Sequence, residues 1–460
     1  MIRSKADLLY LAGVMAVVAY VSIVHLDALW ILIAVPILLA GFVLTAHRFS
    51  ETLLLATTTC MVFVVYNYPG LDPGEVVYYL LWAASVGLVL IPLLLTGVIR
   101  AETTLDRLHV LFMVFMIWGI VNGILFSGSA SKPILEALYF YSGVVFYFLY
   151  RQYLDRSAFR IGLAISVGFI FIYVVLRTYL SYRTALLMAV EEWEFNFVRG
   201  AGNESILLFG TSFCLAALLT AKSFRMKLAL LVGLIVSIGA VIVTMTRSLW
   251  VVTMLAMLVV FLVSEKTERR RFLTYLGIAT SLTGILAVYY WEFTLFIIEI
   301  LKFRFNSLGD GLQDLSLLER YYEMQHVWER IKENPISGWG FGTEYSRYEI
   351  LKNRATAMRS YIHNGYLALW YKISIFGLLT MLAYFVILFN VARNRFIHSS
   401  SAAIRLIAIS TVAYIPAAGL MNITSPVFFT FEGTWLLFTL GSVLSWSQVR
   451  ESEPNNSSAT

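Results

Sequence analysis

Apolar runs of membrane-spanning length recur along almost the whole of this chain, and no other feature narrows its fold as much. A helix needs about 17 to 25 predominantly apolar residues to cross the roughly 30 Å hydrocarbon layer of a bilayer. Fourteen stretches meet that need: 8–24, 28–46, 51–68, 76–98, 108–126, 133–150, 159–180, 204–221, 226–245, 249–265, 272–291, 364–389, 404–421 and 428–446. Hydrophobic residues make up 59% of the 460 and charged residues only 13%, against about 25% charged in an ordinary soluble domain. The runs are apolar on all sides and do not alternate with period two, which excludes the strands of a membrane β-barrel. The chain reads as an all-α polytopic membrane protein of about 14 transmembrane helices, one integral membrane domain over 1–460.

Basic residues orient the helices, because cytoplasmic loops are enriched in Lys and Arg. With the N-terminus inside, the cytoplasmic set is Arg3, Lys5, Arg48, Arg100, Arg107, Arg151, Arg156, Arg160, Lys222, Arg225, Lys227, Lys266, Arg269, Arg270, Arg271, Arg393, Arg395, Arg405 and Arg450, which is 19 of the 34. Most of the others fall in or beside two long outer segments, 181–203 and 292–362, and the short outer loops hold only Lys132 and Arg247. An even number of spans puts both termini in the cytoplasm, with 451–460 as a disordered tail. The first span follows Arg3 and Lys5 without a small-residue cleavage pattern and is taken as a retained helix. Cys60 and Cys214 both fall inside spans, so they suggest packing and not a disulfide framework. The net charge of +6 follows from the inside loops and calls for no nucleic acid.

The outer loop 292–362 is built, not slack. In LSLLERYYEMQHVWERIKENP, Leu317, Tyr321, Met324, Trp328 and Ile331 recur every three or four residues, with Glu319, Glu323, Arg330 and Glu333 assigned to the other face. Ser316 and Glu319 make a capping-box start and Asn334-Pro335 a stop, so an amphipathic helix lies on the outer surface or over the bundle. ISGWGFG follows, and Gly338, Gly340 and Gly342 allow a tight turn whose N–H groups approach a ligand. Next comes SYIHNGYLALWYKISIFG, in which His363 and Asn364 open an otherwise apolar run.

Taken in order, FVRGAGNESILLFG, VTMTRSLWVV, LLERYYEMQHVWERIKENPISGWGFG and HNGYLALWYKISIFG resemble the O-antigen ligase and O-antigen polymerase superfamily over roughly 195–390. The ligase pattern of His, then Asn, Ser or Gln, nine residues, Gly, two residues, then Gly, Thr or Tyr is met by His363, Asn364 and Gly377, with Ser374 at the first glycine position. The resemblance implies a glycosyltransferase C-like helical fold in the bacterial cytoplasmic (inner) membrane, with the active site facing the periplasm. It implies a donor glycan on undecaprenyl pyrophosphate and an acceptor hydroxyl, on lipid A core for a ligase or on a lipid-linked repeat unit for a polymerase. Neither a cofactor nor a metal is implied, and no nucleotide sugar; a chain-length regulator is a further partner if the chain is a polymerase.

The residues support that chemistry independently. The topology puts Arg199, Arg247, Arg320 and His363 on one side from three loops. Arginine forks match phosphate oxygens and stabilise charge on a departing pyrophosphate. A histidine, with an ordinary pKa near about 6.5, is suited to take the proton of an attacking hydroxyl. Each residue also has a plainer explanation: an interfacial hydrogen bond for His363, surface ion pairs for Arg199 and Arg320. Arg247 stands in a very short outer loop, where the positive-inside tendency disfavours it and a ligand or carboxylate partner is expected. Tyr361, Trp339 and Tyr345 are placed to stack on sugars or to join an interfacial aromatic belt. Glu136, Lys372 and Glu432 lie within spans and must face the interior. Glu136 or Glu432 can orient an arginine or serve as an alternative base, and Lys372 with Glu432 is one structural pairing; Asn364 and Arg304 are held as supporting residues.

A second function class is a transporter or lipid-linked oligosaccharide flippase, which would show repeated halves and charge near the bilayer midplane. The chain shows neither. Between the transferases, the match around His363 leans toward ligase and the fourteen spans toward polymerase, which is narrowly preferred.

Overall fold

The computed structural model describes residues 50–64, 72–96, 101–188, 199–200, 202–292, 315–349 and 354–452, with 295, 298–299 and 302 between them. Helices follow the apolar runs: α1 (Ser50–Phe63), α2 (Pro73–Thr96), α3 (Thr104–Ser127), α4 (Ser131–Arg151), α5 (Ser157–Met188), α6 (Glu204–Thr220), α7 (Phe224–Val243), α8 (Arg247–Val263), α9 (Lys266–Tyr289), α10 (Leu315–Glu333), α11 (Gly365–His398), α12 (Ala402–Met421) and α13 (Phe431–Ser452). The expected spans 8–24 and 28–46 lie outside the described residues, as do Arg304 and most of the polar tail. Each of the other twelve stretches falls on a helix. Six of these, α3, α4, α5, α7, α11 and α12, are long and apolar enough by length and composition to cross a membrane, whereas α1, α6 and α8 are shorter apolar helices.

The helical architecture matches the expected all-α class. One short hairpin interrupts it: between α10 and α11, β1 (Tyr345–Glu349) pairs antiparallel with β2 (Arg354–Arg359), Tyr345 opposite Arg359. The ladder satisfies backbone groups in a segment too polar for a span.

Packing joins α4 to α13, α3 to α11, α8 and α11 to α12, and α6 to α7. Aromatic rings fill the centre, with the His109 ring stacked on Tyr147 at 4.2 Å and edge-on to Phe438 at 4.5 Å. One end of the bundle is tied by ions. Asp106 accepts from Tyr147 Oη at 2.6 Å and from Arg151 Nη2 at 3.3 Å, and Asp155 accepts from Arg450 Nε and Trp446 Nε1, both at 2.7 Å. Arg156 pairs with Glu51 at the same end. These are members of the basic set expected to share one side.

At the other end a small second core pins α10 to the bundle: Val327, Ile331, Tyr345, Ile362, Ala368 and Tyr371 bury one another. The buried stripe of α10 is therefore Glu323, Val327 and Ile331, while Tyr321 and Trp328 remain 43% and 39% exposed. Relative to the expected face the helix is turned, and a carboxylate lies inside it.

Candidate active site

The start of α11 is fixed by local chemistry. Asn364 is its N-cap, in extended backbone, and its side-chain oxygen accepts from the N–H groups of Tyr366 and Leu367 at 3.0 Å each, satisfying donors that have no partner within the helix. Gly365 donates to the carbonyl of Asn422 at 2.8 Å, and a Cβ at 365 would stand 2.0 Å from Asn422 Oδ1. Only glycine lets α11 begin so close to the end of α12.

His363 precedes that cap and is held by Glu323 of α10. Its main-chain N–H donates to Glu323 Oε1 at 2.6 Å, and its Nδ1 is 2.8 Å from Oε2. Glu323 is wholly buried, whereas His363 keeps 29% of its side chain exposed. The Tyr361 ring stands edge-on to the imidazole at 5.0 Å.

The arginines gather at the same end. Arg320, also on α10, donates through Nη1 to the carbonyl of Thr424 at 3.0 Å, in the turn after α12. Next to Thr424, Ser425 Oγ donates to Glu204 Oε2 at 2.6 Å, and Glu204 lies within electrostatic reach of both Arg320 and His363. Asn203 caps α6 by accepting from the N–H of Ile206 at 3.0 Å, and Glu432 at the start of α13 sits beside Asn203 and Glu204. Gly200, after Arg199, donates to the carbonyl of Val243 at 2.8 Å. That carbonyl begins the turn into α8, whose first residue is Arg247. His363, Arg320, Arg247, Arg199 and Glu432 are thus brought to one end from five places in the sequence, together with Glu323 and Glu204. The last two were not singled out from sequence, although Glu323 stands three residues after Arg320 and so shares its helix face.

Glu136 and Lys372 belong to a different arrangement. Lys372 Nζ donates to Glu136 Oε2 at 3.1 Å and to the carbonyl of Thr343 at 2.9 Å, so its carboxylate partner is Glu136 and not Glu432. Glu136 also accepts from the N–H of Gly342. The glycine loop is likewise turned inward. Trp339 and Gly340 donate to the carbonyl of Tyr371 at 2.7 and 3.2 Å, and Phe341 donates to that of Gly119 at 3.0 Å. Gly338, Gly340 and Gly342 have φ of 68°, 90° and 70°, and a Cβ on Gly340 would meet Gly123 N at 2.0 Å. These N–H groups serve protein carbonyls and, at Gly342, the Glu136 carboxylate, contrary to the expectation of a ligand cradle. Trp339 lies under the Arg330 guanidinium at 3.9 Å and Tyr345 is buried with its hydroxyl on the Tyr361 carbonyl at 2.8 Å, so of the three aromatics Tyr361 is the one open to a sugar.

No curated protein matches the chain. The family model described as O-antigen ligase matches residues 232–382, a stretch that contains Arg247, Arg320, Glu323 and His363. Over this stretch the chain is similar to the O-antigen ligase family.

Proposed function

We propose that this protein is a membrane glycosyltransferase of the O-antigen ligase or polymerase type, which moves a glycan from undecaprenyl pyrophosphate to an acceptor sugar hydroxyl at the periplasmic face of the inner membrane. The observation that carries the proposal is the convergence, at one end of the bundle, of His363 with Arg320 and Arg247 from within the family match and Arg199 from outside it. His363 removes the acceptor proton as the hydroxyl oxygen bonds to the anomeric carbon. The bond from that carbon to the pyrophosphate oxygen breaks, and its electron pair leaves with the phosphate. Arg247 and Arg320 neutralise that charge and Arg199 seats donor or acceptor. A single displacement inverts the anomeric centre. Acceptors of the two branches differ, and polymerase is preferred over lipid A core ligase by the spans counted in the sequence.

A transporter would use a broken helix to line a substrate path. α11 is broken at Ser374, but the carbonyl of Tyr371 just before the break is taken by the glycine loop and the N–H of Ile375 points to the carbonyl of Ile336 at 3.4 Å, which favours the transferase.

The test is transfer by the purified protein in vesicles containing the lipid-linked glycan. His363→Ala should lower the rate by about 10²–10⁴-fold with insertion and expression unchanged. Arg247→Lys should also impair transfer, since an ammonium keeps the charge and loses the planar fork. Transfer should survive a chelator. Loss of rate with chelator and recovery with magnesium, or full activity of His363→Ala, defeats this mechanism.

A further inference from the structure

Glu323 is the one carboxylate in contact with the His363 ring among the described residues, and it is buried where amphipathic spacing placed it in solvent. We propose that Glu323 is a positioning residue that holds His363 as the Nδ1–H tautomer, so that bare Nε2 is the atom that takes the acceptor proton. This deepens the transfer reaction proposed above and rests on it.

The contacts define the role. An ionised carboxylate only accepts, so His363 meets Glu323 with two donors, its main-chain N–H at 2.6 Å and its Nδ1–H at 2.8 Å. Two bonds to one planar group fix both the place and the rotation of the imidazole. Nε2 then carries the lone pair, and among the described residues it has no hydrogen-bond partner. The ring is 29% exposed while Glu323 has no exposure at all, so a hydroxyl can reach the imidazole without reaching the carboxylate. When Nε2 takes the proton, the ring becomes a cation whose Nδ1–H already rests on Glu323; the proton later leaves Nε2 for water and the base is restored. Arg320 lies one turn earlier on the same helix, so α10 sets the base and a pyrophosphate-binding arginine as one rigid unit. Tyr361 stands edge-on beside this ring, and Glu204 of α6 is within electrostatic reach of it.

Glu323→Gln separates this role from simple packing. The amide has the same size, and its oxygen can keep the bond from the His363 main chain. Its NH₂ then faces Nδ1 and donates to it, which forces the proton onto Nε2 and removes the base. The experiment is solid-state ¹⁵N NMR of the full-length, histidine-labelled protein in lipid bilayers at alkaline pH, with the His363 signals identified by their loss in His363→Ala. Steady-state kinetics are measured on the same vesicles.

Wild type should show protonated Nδ1 and bare Nε2, and Glu323→Gln the reverse. The variant's kcat should fall by about 10²–10⁴-fold with KM changed by no more than about threefold. A wild-type ring protonated on Nε2, or a tautomer unchanged by the substitution, overturns the positioning role whatever the activity of His363→Ala. A reversed tautomer with undiminished kcat overturns the catalytic use of Nε2, and full activity of His363→Ala then tells that the transfer mechanism itself has failed. If Glu323→Gln does not fold, the wild-type spectrum alone decides the tautomer.

Discussion

Ser374 holds φ at 88° and ψ at 166° in the middle of α11, a region of backbone space open in practice to glycine alone. Such a residue costs about 1–3 kcal/mol. The ligase pattern that the sequence resembles has glycine at this position, which suits the positive φ; the carbonyls of Trp370 and Tyr371 lie in the path of a Cβ at Gly338 at 2.8 Å, so the loop and the broken turn interlock. Serine regains part of the cost because its Oγ accepts from the N–H of Gly377 at 3.2 Å. Ser374→Ala keeps the strain and loses that bond, whereas Ser374→Gly loses the bond and the strain together. Glycine should therefore be the more stable of the two variants by about 1–2 kcal/mol, read as a higher midpoint in thermal unfolding in detergent; equal midpoints would mean that the backbone at 374 is not strained.

Among elements, α10 and α13 show what charge does at each end of the bundle. The apolar stripe of α10 is interrupted by Glu323, which is stable inside because two donors of His363 meet it. The end of α13 is held by Asp155, which bonds to Trp446 and Arg450. Partial burial pushes the Asp155 carboxyl up, but the hydrogen bonds from Trp446 and Arg450 and the positive charge of Arg450 and Arg151 outweigh it and hold the group below the usual carboxylate range. A depressed folded value means that this tie contributes its full stability above the ordinary aspartate pKa of about 3.9, and loses it as pH falls through the folded value. The difference in melting temperature between wild type and Asp155→Asn should thus be largest near neutral pH and shrink toward zero as the medium is acidified below about pH 4. A difference that grows on acidification would reverse the sign and defeat the assignment.

At the scale of the whole molecule, the two polar ends have different tasks. One is closed by ion pairs that join α1, α3, α4, the loop after α4 and α13, and the other collects the candidate site and carries the hairpin and α10. If the second faces the periplasm, a cysteine at 358 labels with an impermeant reagent in intact cells, while cysteines at 268 and 398 label only after the membrane is opened. Met358 and His398 are exposed and Glu268 is half-buried, and native Cys60 and Cys214 are buried and contribute little background. Labelling of all three positions from the same side would break the topology on which the single-face site depends.

Hydropathy alone determined where the helices run, because a helix without water to bond must be apolar over its whole membrane length, and that property is written locally. Motif order carried His363, Arg247, Arg320 and Arg199. The hairpin, the rotation of α10 and the pairing of Lys372 with Glu136 were decided by tertiary structure. In the last two a polar group is buried against a partner far away in sequence: 40 positions for Glu323 and His363, 236 for Lys372 and Glu136. A charged side chain looks like solvent-facing surface when only its neighbours in sequence are visible. Burial becomes favourable only once folding brings a donor or a counter-charge to it, and that meeting is a property of the packed chain.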